Sequence, residues 1–208
     1  MSQQLDIGKC FNDALEVYKV NVLMLIVSAL LFQILSLLTL LILAGPLFGG
    51  YCLMTMNAMR RADKKIELND MFKMFNKFGF LLGLFFLQGL AIFGGFLLLI
   101  IPGLLLSTMW LYSYFFMVDK DRDIIQAMKD SWYLVKEKGL WINFALCILY
   151  ILLTGVSAQL PMIGWVLNLF AVPFAILMLT SGYFQQAEEQ ATTTENRPFA
   201  DVKEEGQS

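Results

Sequence analysis

Histidine is absent from all 208 residues, which removes Ser-His and Cys-His nucleophilic catalysis, His-ligated zinc or haem, and a histidine proton relay. The three cysteines, Cys10, Cys52 and Cys147, lie far apart and form no Cys-x-x-Cys pair. They read as small hydrophobes. Alternating Asp119, Asp121 and Asp123 in the run DKDRD have the spacing of a cation site, but such runs are more often a solvated helix start. No metal and no cofactor is expected, and the chain is expected not to be an enzyme.

What remains is a set of amides inside apolar sequence: Gln33, Gln88, Asn143 and Asn168. Gln33 lies 13 residues before Pro46, and Gln88 lies 14 before Pro102. A buried amide in lipid must find a partner, and interhelical bonds of this type average about 0.6 kcal/mol. Such residues act either as glue between helices or as the polar lining of a solute path. The run Tyr112, Tyr114, Phe115, Phe116 offers the same choice between aromatic packing and a ligand cradle.

The elements that position these residues follow from where the charges are not. The chain is 58% hydrophobic and 15% charged, with mean hydropathy +0.66. A soluble domain is nearer half apolar and about a quarter charged, so lipid is the expected solvent. The net charge of −2 gives no reason to expect nucleic acid as a partner. Three blocks, 20–59, 78–118 and 139–187, hold no Asp, Glu, Lys or Arg. A crossing needs about 20 helical residues, so each block of about 40 or more suits two. Each also holds a proline near its middle, Pro46, Pro102 or Pro161. Proline disfavours helix in the preceding residue and starts a helix well, so each is expected to mark a hairpin tip.

The expected fold is an all-α membrane protein with six transmembrane helices arranged as three hairpins. An amphipathic segment precedes each hairpin. Its expected apolar stripe is Ile7, Cys10, Phe11, Ala14, Leu15 and Tyr18 in the first, and Leu68, Met71, Phe72, Phe75 and Phe78 in the second. In the third it is Ile124, Ile125, Met128, Trp132 and Val135. Short linkers favour packing of these segments against the bundle. The domain spans 1–187, with repeats at about 5–61, 66–119 and 122–187. Residues 188–208 form an acidic tail too poor in apolar residues to fold alone. The weak point is the second helix, since only about 14 residues separate Pro46 from Arg60. Pro173 predicts a kink in the last helix.

All 15 Lys and Arg and all 17 acids lie outside the three blocks. Basic residues stay on the cytoplasmic side during insertion, so both termini and the connecting segments are expected there. No cleavable signal peptide is evident, and the first membrane helix is expected to direct insertion. Steps of small residues such as Gly45/Gly49 and Gly79/Gly83 suit close helix approach within the bundle.

The third repeat resembles a poorly characterised family of bacterial inner-membrane proteins, related to the membrane domain of some glycerophosphoryl diester phosphodiesterases. The resemblance is carried by Ala127-x-x-x-Ser131-x-x-Leu134-Val135-Lys136, then Pro161-x-Ile163-Gly164, Pro173-Phe174 and Tyr183. It implies a six-helix fold in the bacterial cytoplasmic membrane and supplies no catalytic residues. The expected function is that of a non-enzymatic scaffold, accessory or envelope-maintenance protein. Its expected partners are membrane lipids, another membrane protein or a second copy. The alternative is a passive channel or a solute or lipid transporter, with a cavity between repeats lined by Gln33, Gln88, Asn143 and Asn168. A polar cavity open to one side would favour transport, whereas an apolar groove would favour lipid or a partner.

Overall fold

A computed structural model describes residues 5–39, 41–158 and 163–195, with side chains described over 5–39, 41–155 and 163–187. Every regular element among the described residues is helical. Asp6 caps α1 (Ile7–Leu38), its carboxylate accepting the Lys9 N–H at 3.1 Å. The first amphipathic segment and the first crossing are thus one helix, bent at Asn21, whose φ of −122° and ψ of 18° are not helical. The Asn21 amide stabilises this bend. It donates to the carbonyls of Val17 at 2.8 Å and Lys64 at 2.7 Å, and accepts the Ile66 N–H at 2.9 Å.

Helix α2 (Ala44–Arg60) follows a turn, with Pro46 inside its first turn, where a missing N–H costs nothing. The break lies before the proline, not at it. The second amphipathic segment is a five-residue α3 (Leu68–Phe72) and a 3-10 turn (Lys73–Lys77), leading into α4 (Phe78–Leu98). At Gly50 a Cβ would lie 1.8 Å from the Met71 carbonyl, so glycine lets α3 pack directly on the α2 backbone. One extended residue, Leu99, separates α4 from α5 (Ile100–Met109), and Pro102 again sits in the first turn. A break at 110–112 precedes α6 (Ser113–Asp119).

Helix α7 (Ile124–Lys138) is the third amphipathic segment. Gly139, with φ +113°, ends it in a conformation that favours glycine, and the axis turns by 116° into α8 (Leu140–Ala158). Helix α9 (Ile163–Glu195) continues through Pro173. The third tip, at Pro161, and residues 196–208 of the tail lie outside the described residues.

Among the described residues, four helical stretches are long and apolar enough to cross a membrane: Ile7–Leu38, Leu68–Leu98, Ile100–Asp119 and Ile163–Ala187. The bent α7–α8 pair would make a fifth. Helix α2, at 17 residues, spans only about 25 Å. The fold is therefore that of an all-helical chain with four to five candidate spans, which fits a multi-pass membrane protein. Its outward face supports this, since Leu23, Leu90, Leu97, Leu98 and Trp141 are all strongly exposed.

The buried stripes keep Cys10, Ala14, Met71, Met128 and Val135 of those expected and depart from them elsewhere. In α7 the bundle-facing residues are Ala127, Met128, Ser131, Leu134 and Val135, while Ile125 and Trp132 are exposed. In α1 Cys10, Ala14 and Val17 are buried and Phe11 is exposed; in α3 Met71 is buried and Phe72 exposed. Small and medium side chains, not the largest apolar ones, take the packed face.

The charged segments meet at one end of the bundle. Arg60 pairs with Asp119 at 2.6 Å, Arg61 with Asp70 at 3.0 Å, Lys64 with Glu16, and Lys77 with Asp121. The Asp6 N–H donates to Gln185 at 3.0 Å. The starts of α1, α4 and α7 therefore share this end with the finishes of α2 and α6 and with Gln185 of α9.

Candidate functional site

The break at 110–112 frees backbone groups within an apolar stretch, where lipid offers them no partner. Side chains from α5 itself and from two neighbouring helices bond the backbone before and within the break. Ser107 and Thr108 donate back to the carbonyls of Gly103 and Leu104, at 2.8 and 2.9 Å. From α7, Ser131 Oγ donates to the Met109 carbonyl at 2.8 Å and accepts the Tyr112 N–H at 3.1 Å. From α4, Gln88 Nε2 donates to the Trp110 carbonyl at 3.1 Å. That carbonyl also accepts the Ser113 N–H at 3.2 Å, so Gln88 adds a second bond that ties α4 to the break.

Tyr112 opens a second polar group. Its hydroxyl donates to Asn143 Oδ1 at 2.9 Å, and Gln186 Nε2 donates to both of those oxygens at 3.0 Å. Asn143 Nδ2 returns a bond to Gln186 Oε1 at 3.0 Å. All three residues are fully buried, so the cluster ties α8 and α9 to the break with its polar atoms mutually satisfied.

Beside the break lies a cavity of about 340 Å³ whose wall includes Phe32, Phe48, Phe85, Gln88, Tyr114 and Tyr150. A second, of about 310 Å³, shares Phe32, Phe48 and Tyr150 and adds Gln33, Trp165 and Asn168. Among the described residues, no Asp, Glu, Lys or Arg lines either one. The walls are aromatic and aliphatic, interrupted by a few polar atoms. Three of the lining residues carry a side-chain oxygen that is buried away from the open space and, among the described residues, has no hydrogen-bond partner: Gln88 Oε1 and Tyr114 Oη beside the first cavity, and Gln33 Oε1 beside the second. No family model, curated protein or solved structure matches the chain.

The four sequence-flagged amides are therefore divided three ways. Gln33 and Asn168 meet in the second cavity, Gln88 lines the first, and Asn143 belongs to the Tyr112–Gln186 cluster. A third hollow, of about 270 Å³, lies at the charged end and is lined by Lys9, Asp13, Lys64, Ser181 and Gln185. Its groups already answer one another, Ser181 Oγ donating to Asp13 at 2.7 Å and Lys64 pairing with Glu16. The three aspartates of DKDRD do not converge. Asp119 takes Arg60 and the Tyr183 hydroxyl, and Asp121 takes Lys77.

Nothing in the sequence pointed to Asn21 or Gln186; Ser131 entered only as a residue of the resemblance, with no role, and Tyr112 only as a ring whose hydroxyl went unused. Ser131 and Gln186 sit in or beside stretches where a single polar residue is unremarkable. One signal was present: Asp13, Asp70 and Asp130 recur at 57 and 60 residues (70 minus 13, 130 minus 70), one per entry segment.

Proposed function

We propose that this chain is a non-enzymatic protein of the bacterial cytoplasmic membrane that holds a lipid-type guest between three helical hairpins, in the service of envelope maintenance. The observation that carries this reading is the pair of adjoining, charge-free cavities inside the bundle. Their volumes lie near the lower end of the range of about 300–1,000 Å³ typical of small-molecule sites, and their apolar walls with few polar groups are of the usual kind. A channel for polar solutes is less well supported, because Phe32, Phe48 and Tyr150 stand between the two spaces. A scaffold acting through free amphipathic faces is also less well supported, because α3 and α7 use their packed faces on the bundle.

Three hairpins, six crossings and cytoplasmic termini belong to the same proposal. The second arm of each hairpin packs on the entry segment of the next: α2 on α3, α6 on α7, and α9 on α1. That cyclic order, with the recurring aspartates, supports an internal threefold repeat. The short α2 can complete its crossing if Arg60, at its last turn, reaches the interface, where it pairs with Asp119. Kinship with the phosphodiesterase-associated membrane domains rests on Ala127, Ser131, Leu134 and Val135, all buried against the bundle.

The test is lipid retention. Protein purified in mild detergent and exchanged until outer lipid is stripped should keep a defined lipid-type molecule, visible by native mass spectrometry. Ala44→Leu, which adds bulk to the first cavity wall, should lower that retention while the helical fold survives. A protein that keeps nothing, or a variant that keeps as much as the parent, would defeat the proposal.

A further inference from the structure

We propose that the guest is one acyl chain of a phospholipid in the leaflet away from the charged end, taken up between the hairpins with the headgroup left outside. This rests on the lipid-guest reading above and adds which part of the lipid enters and from which side. The walls decide the part. Gln88 Oε1, Tyr114 Oη and Gln33 Oε1 are buried away from the open space, and Ser107 spends its proton on the Gly103 carbonyl at 2.8 Å. The surface left to a guest is mainly rings and aliphatic carbon, with Phe32, Phe48 and Tyr150 common to both cavities. A polar group entering here would leave its bonds to water without replacement, whereas a methylene has none to lose. Size agrees with this. At about 30 Å³ for each water-sized group, cavities of about 340 and 310 Å³ each take on the order of ten methylenes. That is part of one chain, and it suits a lipid whose second chain stays in the bilayer.

The packing decides the side. Met54 and Met56 of α2, Phe115 and Phe116 of α6 and Tyr183 of α9 are all at most 2% exposed, and the Tyr112–Asn143–Gln186 cluster is closed among them. These positions adjoin the charged end, where Arg60 pairs with Asp119 and the Tyr183 hydroxyl donates to the same carboxylate at 2.9 Å. Helices α3 and α7 pack over that half. Both cavities extend beyond it. The second takes Ala29 to Gln33 of α1, past the bend at Asn21, and Trp165 to Ile176 of α9, well before the Gln185 contact. The first takes Ala44 and Phe48 from the opening turns of α2. At the far ends Leu38, Leu98, Ile101 and Ile163 are all at least 65% exposed. The bundle is thus solid toward the charged end and hollow beyond it, so the room for a chain faces the far leaflet.

A headgroup at that surface meets little. Asp, Glu, Lys and Arg do not occur in 20–59, 78–118 or 139–187, the blocks that hold the three tips. Binding should therefore follow the chain and ignore the charge of the headgroup.

The experiment uses full-length protein in right-side-out and inverted membrane vesicles, its orientation read from the maleimide reaction of a cysteine replacing Lys120. Phosphatidylcholine carrying a diazirine near a chain end is delivered to the outer leaflet from donor vesicles. After illumination, adducts are mapped by mass spectrometry. Delivery to the leaflet away from the charged end should label the inner wall at Phe48, Leu111 or Tyr150, and delivery to the other leaflet should leave these at background. The phosphatidylglycerol analogue should label them within about twofold of phosphatidylcholine, because no Lys or Arg in the tip blocks favours it. A Cβ at Gly89, in the first wall, would meet nothing within 4 Å, so Gly89→Leu adds bulk beside the space without a clash. It should cut the yield at Leu111 severalfold. Gly79→Leu, equally unhindered and outside both walls, should leave that yield unchanged. Equal labelling from both leaflets, labelling from the charged-end leaflet alone, a clear headgroup preference, or an unchanged yield in Gly89→Leu would overturn the inference and leave the lipid-guest reading standing. A wall unlabelled from either leaflet would remove both.

Discussion

Asn143 and Gln33 are both amides in apolar helices, but only Asn143 is tied into the fold by bonds to Tyr112 and Gln186. Asn143→Leu would strand buried polar atoms on both partners, at a cost of about 1–3 kcal/mol. Gln33→Leu removes an oxygen that bonds nothing, so its cost should stay below about 1 kcal/mol. Thermal unfolding in detergent, followed by near-UV circular dichroism, should rank Asn143→Leu well below Gln33→Leu; the opposite order would show the buried cluster to be dispensable. The sequence could place these residues at depth, because a charge-free block gives distance from its ends. It could not place them around the helix, and that angle separates a cavity wall from a closed cluster. The Tyr112 hydroxyl was hidden for the same reason, since nothing in a linear run of aromatics says which ring meets an asparagine 31 positions on.

Among the elements, α7 shows what periodicity conveys in a membrane protein and what it does not. Its existence, its amphipathic character and its contact with the bundle were legible, and its termination at Gly139 matches the start of the charge-free block. The packed face was misread by a fraction of a turn. In water the largest apolar residues are the natural core, but beside lipid they are at home outside, and close approach of helices selects small side chains. Ala127 and Ser131 are therefore buried while Ile125 and Trp132 look outward. Ser131 then does what a larger residue could not, entering the break at 110–112 to bond its backbone. This reverses the simple expectation for fluorescence. With Trp110, Trp141 and Trp165 replaced by Phe, emission from Trp132 should be quenched strongly by lipids brominated near the headgroup and weakly by those brominated near the chain end. Unquenched, blue-shifted emission would mean that Trp132 is packed inside after all.

For the molecule as a whole, the number of crossings decides which side each terminus takes: an even count puts them together and an odd count apart. Contacts at the charged end argue for an even count. Asp6 meets Gln185, Arg60 meets Asp119, and Lys64 meets Glu16, so these segments lie together, as the proposed returning hairpins require. A single crossing made from the α7–α8 pair would carry Lys129, Asp130 and Lys136 into hydrocarbon, at about 2.5–3.5 kcal/mol for each charge near the centre. The cheaper arrangement keeps α7 at the interface and lets α8 cross alone. Segregation of charge in the sequence leads to the same proposal, but the reach of α2 does not follow from it, because a 17-residue helix crosses or stops short according to how Arg60 is received at the interface. Single cysteines in a background lacking Cys10, Cys52 and Cys147 can decide both points. Cysteines replacing Leu99 and Trp165, both exposed, should react with an impermeant maleimide in intact cells. Those replacing Lys65, Lys120 and Ser208 should react only after lysis. A cysteine replacing Ile42, exposed in the turn before α2, should label from outside if α1 and α2 both cross and resist labelling from either side if their hairpin stops within the membrane. Labelling of Lys65 and Ser208 positions from opposite sides would give an odd count, and the closed ring of three hairpins could not stand.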